Sequence, residues 1–106
     1  MNETQKNLSP VEVKKMLDDK SCLLVDVREA DEYAAEKIEG AVHHPLSSFD
    51  PHALPRPAAG QSIVFHCAGG VRSAKAIAAC RQAGLNHNAH MAGGLRAWKQ
   101  DKLPTR

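Results

Sequence analysis

A chain of 106 residues with 42% apolar and 25% charged residues can build one hydrophobic core but not two, and its composition is not that of a disordered segment. The formal charge is only +2, Lys and Arg are interleaved with Asp and Glu, and four aromatic residues offer little to stack on bases, so nucleic acid is a poor fit as a partner. No apolar run approaches the roughly 18 residues of a membrane span, and Met1 to Asn7 is polar without a signal-peptide core, which points to one cytoplasmic domain over residues 1–106.

The first element is announced by Ser9-Pro10-Val11-Glu12, with Ser9 as helix N-cap, Pro10 at the first helical position and Glu12 completing a capping box. Val11, Val13, Met16 and Leu17 continue it at helical spacing to about Asp19–Ser21. Cys22 to Val27 is a near-continuous apolar run of strand length, as in a parallel sheet buried on both faces, and Arg28 follows at its C-terminal end. Glu29 to Glu36 reads as a short helix anchored by Tyr33. Ile38 to Val42 reads as a brief strand stopped by Pro45, and the prolines at 51, 55 and 57 make Ser47 to Gly60 mostly loop, with one helical turn near Ser48 to Ala53.

Ser62 to His66 is a second apolar strand, and Ser73 to Ala83 an alanine-rich helix with Gly84 as its C-cap. Leu85 to Met91 gives a weak last strand, Gly93-Gly94 breaks it, and Leu95 to Lys99 is a helix with Trp98 in the core. Strands alternating with helices at this length predict a three-layer α/β/α domain of about five mostly parallel strands, with helices on both faces.

The chemistry concentrates between that second strand and its helix, in Cys67-Ala68-Gly69-Gly70-Val71-Arg72-Ser73. A cysteine at a strand end, before a helix N-terminus, meets inward-turned backbone N–H groups that favour thiolate over thiol. Gly69 and Gly70 are free to take positive φ and turn those amides toward the sulfur, and Arg72 adds a positive charge at the rim. Cys67 is therefore the expected nucleophile. Cys22, at a strand start, and Cys80, on an apolar helix face, read as core residues, and three cysteines without a CxxC indicate neither a disulfide framework nor a zinc ribbon.

His43-His44 and His87-x-x-His90 lack the spacing and adjacent carboxylate of a metal site and read as solvated or loop histidines, and His66 alternates to the strand face opposite Cys67. Asp26 reads as a buried hydrogen-bond acceptor. Arg28 is either a surface residue or a second positive group beside the loop.

Three segments resemble the rhodanese-like sulfurtransferase family, in its single-domain form. The Cys67–Ser73 loop is similar to that family's Cys-x-x-Gly-x-Arg-Ser loop, Asp26 to Tyr33 with Ile38 to Ala41 to its upstream signature, and Met91 to Trp98 to its Gly-Gly-x-x-Ala-Trp segment. The resemblance implies that Cys67 takes a sulfane sulfur from a donor such as thiosulfate or a persulfide, holds it as a persulfide, and passes it to cyanide, a small thiol or a protein thiol. It further implies a substrate-binding loop of Ala68, Gly69, Gly70, Val71, Arg72 and Ser73, with Arg28 nearby, and no metal or organic cofactor. Position 68 is alanine where many thiosulfate-using relatives carry Arg or Lys, so one cation for the sulfonate end of thiosulfate is missing from the loop.

Two other functions remain. A cysteine phosphatase or arsenate reductase would use a Cys-x5-Arg loop, but five residues beyond Cys67 the chain has Ser73. A carrier or protein-binding module would hold persulfide for a dedicated partner with little turnover of small donors.

Overall fold

The computed structural model describes residues 5–106; the polar residues before Gln5 lie outside it. Along the chain come β1 (Lys6–Leu8), α1 (Pro10–Asp18), β2 (Cys22–Asp26), α2 (Ala30–Ala35), β3 (Val42–His43), β4 (Ser62–His66), α3 (Val71–Gln82), β5 (Ala89–Met91) and α4 (Gly94–Gln100). The strands form one sheet in the order β1-β5-β4-β2-β3, and every pair is parallel.

Local chemistry explains the entry into α1. The Ser9 hydroxyl accepts the Glu12 N–H at 3.1 Å, and the Glu12 carboxylate accepts the Ser9 N–H at 2.8 Å, so two amides without an intrahelical partner are satisfied reciprocally. The centre of the sheet is the β2–β4 pair, in register from Cys22 opposite Ser62 to Asp26 opposite His66. Alternation then divides their side chains. Leu24 and Val64 pack with Val13 of α1 and with Leu95 and Trp98 of α4 on one face. Val25, Val27, Ile63, Phe65 and Cys67 pack with Ala76, Ile77 and Cys80 of α3 on the other. Helices thus cover both faces, the three-layer arrangement expected from the sequence.

Several boundaries differ from that expectation. The strand placed at Ile38–Val42 is instead Val42–His43, because Ile38 turns inward as a core residue and Gly40 takes a left-handed turn. The loop after Pro45 carries two 3-10 turns, Leu46–Ser48 and Pro51–Ala53. Helix α3 begins at Val71, two residues early, and β5 is confined to Ala89–Met91. Strand β1 was not expected: Lys6 and Asn7 are exposed on an edge strand, and only Leu8 carries a hydrophobic signal. Because all strands run the same way, the ends of β2, β4 and β5 open on one edge of the sheet, where α/β sheets place their ligand sites.

Candidate active site

Cys67 follows β4 directly, with its side chain on the α3 face and only 1% of the residue exposed. Its Sγ accepts the Gly70 N–H at 3.1 Å and the Ser73 N–H at 3.4 Å, and it lies 3.7 Å from the Ser73 hydroxyl. The first turn of α3 has amides with no intrahelical partner, and the sulfur occupies the place that a capping oxygen ordinarily fills. Gly70 makes this turn with φ +107°, and a Cβ there would run into the Ala92 carbonyl oxygen.

The electrostatics follow from those contacts. Burial alone would push the Cys67 thiol up, but the Ser73 N–H, the Ser73 hydroxyl and the Gly70 and Gly69 N–H groups outweigh it, and the thiol falls below its ordinary value. Such a site favours a thiolate and any anionic group bonded through that sulfur.

The loop is held from outside by α4. Leu95 N–H donates to the Cys67 carbonyl at 2.8 Å and Arg96 N–H to the Ala68 carbonyl at 3.1 Å. This approach requires Gly94, at φ +65°, since a Cβ would lie 2.6 Å from the Cys67 and Ala68 carbonyl oxygens.

Gly69, Gly70 and Ser73 therefore converge on the Cys67 sulfur through hydrogen bonds, and Arg72 interacts with it through its charge. Val71 is exposed at the start of α3. Ala68 lines a shallow depression shared with Leu95, Arg96, Lys99 and Gln100.

Both expected arginines are paired with carboxylates. Arg72 does not stand free at the rim: its two terminal nitrogens donate to the Glu32 carboxylate at 2.6 and 3.0 Å, which ties α3 to α2. That bidentate contact holds the Glu32 carboxyl down at about 2. Arg28 is not beside the loop as a second positive group either. Its guanidinium is buried against Asp26 at 2.8–3.1 Å and against the Glu36 carbonyl at 2.6 Å, so it closes the end of β2 onto the segment after α2. Asp26 and its register partner His66 face away from Cys67, and burial pushes the His66 ring down more strongly than Asp26, 3.5 Å away, raises it.

Two residues escaped the sequence reading. Arg96 lies over the loop, with its guanidinium 3.4 Å from where a Gly69 Cβ would stand, and no carboxylate pairs with it among the described residues. Its signal was faint: a cation just past the Gly93-Gly94 pair, on a segment remote from Cys67 in sequence. His90 is not a solvated loop histidine. It is 3% exposed on β5, with Nδ1 2.7 Å from the Ser73 hydroxyl. Alternation along a three-residue strand was too short a pattern to place it. Among the described residues, no group of three His, Cys, Asp or Glu is arranged to hold a metal, and no helix is long and apolar enough to cross a membrane.

Comparison with known proteins bears on this geometry. The rhodanese-like domain matches residues 9–101. An uncharacterised protein of Synechocystis is 38% identical over 103 residues, which span 97% of this chain and 57% of that protein. A probable adenylyltransferase/sulfurtransferase, MoeZ of Mycobacterium tuberculosis, is 33% identical over 99 residues, 92% of this chain and 25% of its own length. The chain thus spans from a quarter to just over half of these curated relatives. Among solved structures, a human single-domain sulfurtransferase superposes with a TM-score of 0.74 at 27% identity, covering 92% of this chain and 97% of that one.

Proposed function

The chain belongs to the rhodanese-like family, and on that premise we propose that it is a sulfurtransferase, moving a sulfane sulfur from a donor to a thiophilic acceptor through a persulfide on Cys67. The observation that carries this reading is the set of N–H donors on Sγ, which lowers the thiol even though the residue is buried. Cys67 thiolate attacks the outer sulfur of thiosulfate or a persulfide. A new S–S bond forms, the donor's own S–S bond breaks, and its electron pair leaves with sulfite or the donor thiolate. Cyanide or an acceptor thiolate then attacks the outer sulfur, and Cys67 leaves as thiolate into the same cradle, which stabilises the charge at both steps.

The burial of Sγ supports a slender reacting end, a single sulfur atom, over a phosphate ester. Arg72 weighs against phosphatase chemistry as well, since its guanidinium is turned to Glu32 and a phosphate would need it over the sulfur. Arg96 supplies the unpaired cation that Ala68 does not, beside the loop, where the anionic end of a donor would lie.

A carrier module that loads persulfide for a protein partner is the second reading, favoured by the apolar Val71 exposed next to the loop. Intact-mass measurement after incubation with thiosulfate or a small persulfide separates these. The proposal expects an adduct of one sulfur atom on Cys67, absent in Cys67→Ser and discharged by cyanide or a thiol. Loading without discharge to small acceptors supports the carrier, and no adduct with any sulfane donor overturns both.

A further inference from the structure

The Cys67 proton has to leave through something, and the backbone N–H groups of Gly70 and Ser73 that face the sulfur are donors that cannot accept it. Behind the sulfur a continuous line of polar groups crosses the α3 face of the sheet to its β1 edge. Sγ is 3.7 Å from Ser73 Oγ, Oγ is 2.7 Å from His90 Nδ1, and His90 Nε2 is 3.0 Å from Asn7 Oδ1 and 2.9 Å from Gln5 Nε2. Ser73 and His90 are buried, whereas Asn7 is exposed. The line therefore joins a buried thiol to solvent at the β1 edge of the sheet.

The two amides at the far end are of opposite kind. Asn7 offers an oxygen, which accepts from a ring carrying its proton on Nε2. Gln5 offers an N–H, which donates to a ring whose Nε2 is bare. Gln5 and Asn7 together thus accommodate either neutral tautomer of His90, as a relay requires.

We propose that His90 is a positioning residue that acts through Ser73, carrying the Cys67 proton to the sheet edge by exchanging its two neutral tautomers. In the thiol state Sγ–H points to Ser73 Oγ, the Ser73 hydroxyl donates to Nδ1, and Nε2–H donates to Asn7. On ionisation the thiol proton passes to Oγ and the serine proton to Nδ1, while the proton on Nε2 leaves to water at the exposed edge. Every bond in the line then reverses: Nδ1–H donates to Oγ, the hydroxyl donates to the thiolate, and Gln5 donates to Nε2. One proton leaves for each thiolate formed, and the ring is neutral before and after.

Neutrality matters at this position because burial lowers the affinity of the His90 ring for a second proton. The groups packed on His90 are Gln5 just before β1, Asn7 of β1, Phe65 in register on β4 and Ser73 from α3, with Cys67 beyond the serine. Of these, Cys67 is the one other group that ionises, and its thiol is held below its ordinary value, so the tautomer of the ring should follow the sulfur.

This inference rests on Cys67 being the nucleophile of the reading above, but its test needs no turnover. Nitrogen-15 NMR of the histidine side chains distinguishes Nδ1–H from Nε2–H directly. Across the pH midpoint for Cys67 alkylation by iodoacetamide, His90 is expected to change from the Nε2–H to the Nδ1–H form, and in Cys67→Ser that change should vanish. The same tautomer on both sides of the midpoint overturns the relay, even if the protein transfers sulfur. His90→Phe, which keeps bulk but has no nitrogen, should raise the alkylation midpoint by about one unit, which slows alkylation about tenfold at pH values well below it. An unchanged midpoint in a folded His90→Phe would also overturn it.

Discussion

Cys67 and Cys80 lie on the same face of the same sheet, in one apolar cluster, at 1% and 0% exposure. Burial acts on both alike, yet the Cys80 thiol is pushed up while that of Cys67 falls below its ordinary value. Cys22, 4% exposed on the other face, is pushed up to about 11 by the same burial. The difference is one of donors. Cys22 begins a strand and Cys80 sits within a helix, where neighbouring amides bond to backbone carbonyls, whereas Cys67 stands where a helix begins and its amides need an acceptor. Low solvent exposure marks a cysteine as inert only when the backbone around it is already satisfied.

The strongest break of this comparison removes the reactive sulfur. Iodoacetamide on the native protein should label Cys67 alone, with Cys22 and Cys80 labelled only after denaturation, and Cys67→Ser should abolish native labelling and sulfur loading completely; peptide mapping by mass reads both. Next comes Gly70→Ala, which forces a side chain into a left-handed turn and onto the Ala92 carbonyl. A loss of about 1–3 kcal/mol in urea unfolding is expected, together with a clear fall in alkylation rate as the Gly70 amide moves off the sulfur. An unchanged alkylation rate would show that the cradle is not what separates Cys67 from Cys80.

Ser73→Ala is the milder test, since it removes the hydroxyl and keeps the amide. The thiol is held below its ordinary value partly by that hydroxyl, so its loss should move the alkylation midpoint up by roughly one pH unit. Below the midpoint the variant should react more slowly than wild type, and well above it the two rates should converge. Arg96→Ala should raise KM for thiosulfate by roughly three- to tenfold with kcat little changed, the size of an exposed ion contact made equally in ground and transition states. A cysteine-labelling rate unaffected by the same substitution would place Arg96 on the donor and not on the thiol.

The smallest effect concerns the frame around the loop. Glu32 is held below its ordinary value by Arg72, so the stabilisation from this pair is full above 4.5 and fades as pH falls toward about 2. The difference in urea midpoint between wild type and Glu32→Gln should therefore shrink across that interval. Both partners are about a third exposed, which keeps the difference small at any pH.

What could be read from the sequence was whatever its chemistry fixes locally. Ser9 and Glu12 lie within one turn, the β2 and β4 runs are apolar throughout, and the spacing from Cys67 to Arg72 can be counted, so α1, the sheet centre and the loop were legible. What could not be read depends on partners far along the chain. Arg72 meets Glu32 forty residues away, Arg28 turns back onto Asp26 and the Glu36 carbonyl, and the place of His90 depends on an edge strand in which two of three residues are polar. A charge beside a reactive residue is legible as a charge, but whether it is free depends on the tertiary fold.

The two amides of α4 that hold the Cys67 and Ala68 carbonyls have a consequence for the timing of charge. A peptide unit is planar, so pinning its carbonyl on one side fixes its N–H on the other. Folding of the C-terminal segment thus aims the dipoles of the loop before any ionisation or sulfur transfer takes place. When negative charge appears on the sulfur, none of the peptide dipoles around it has to rotate. Water would have to reorient around that charge, and here the reorientation is already complete in the resting protein.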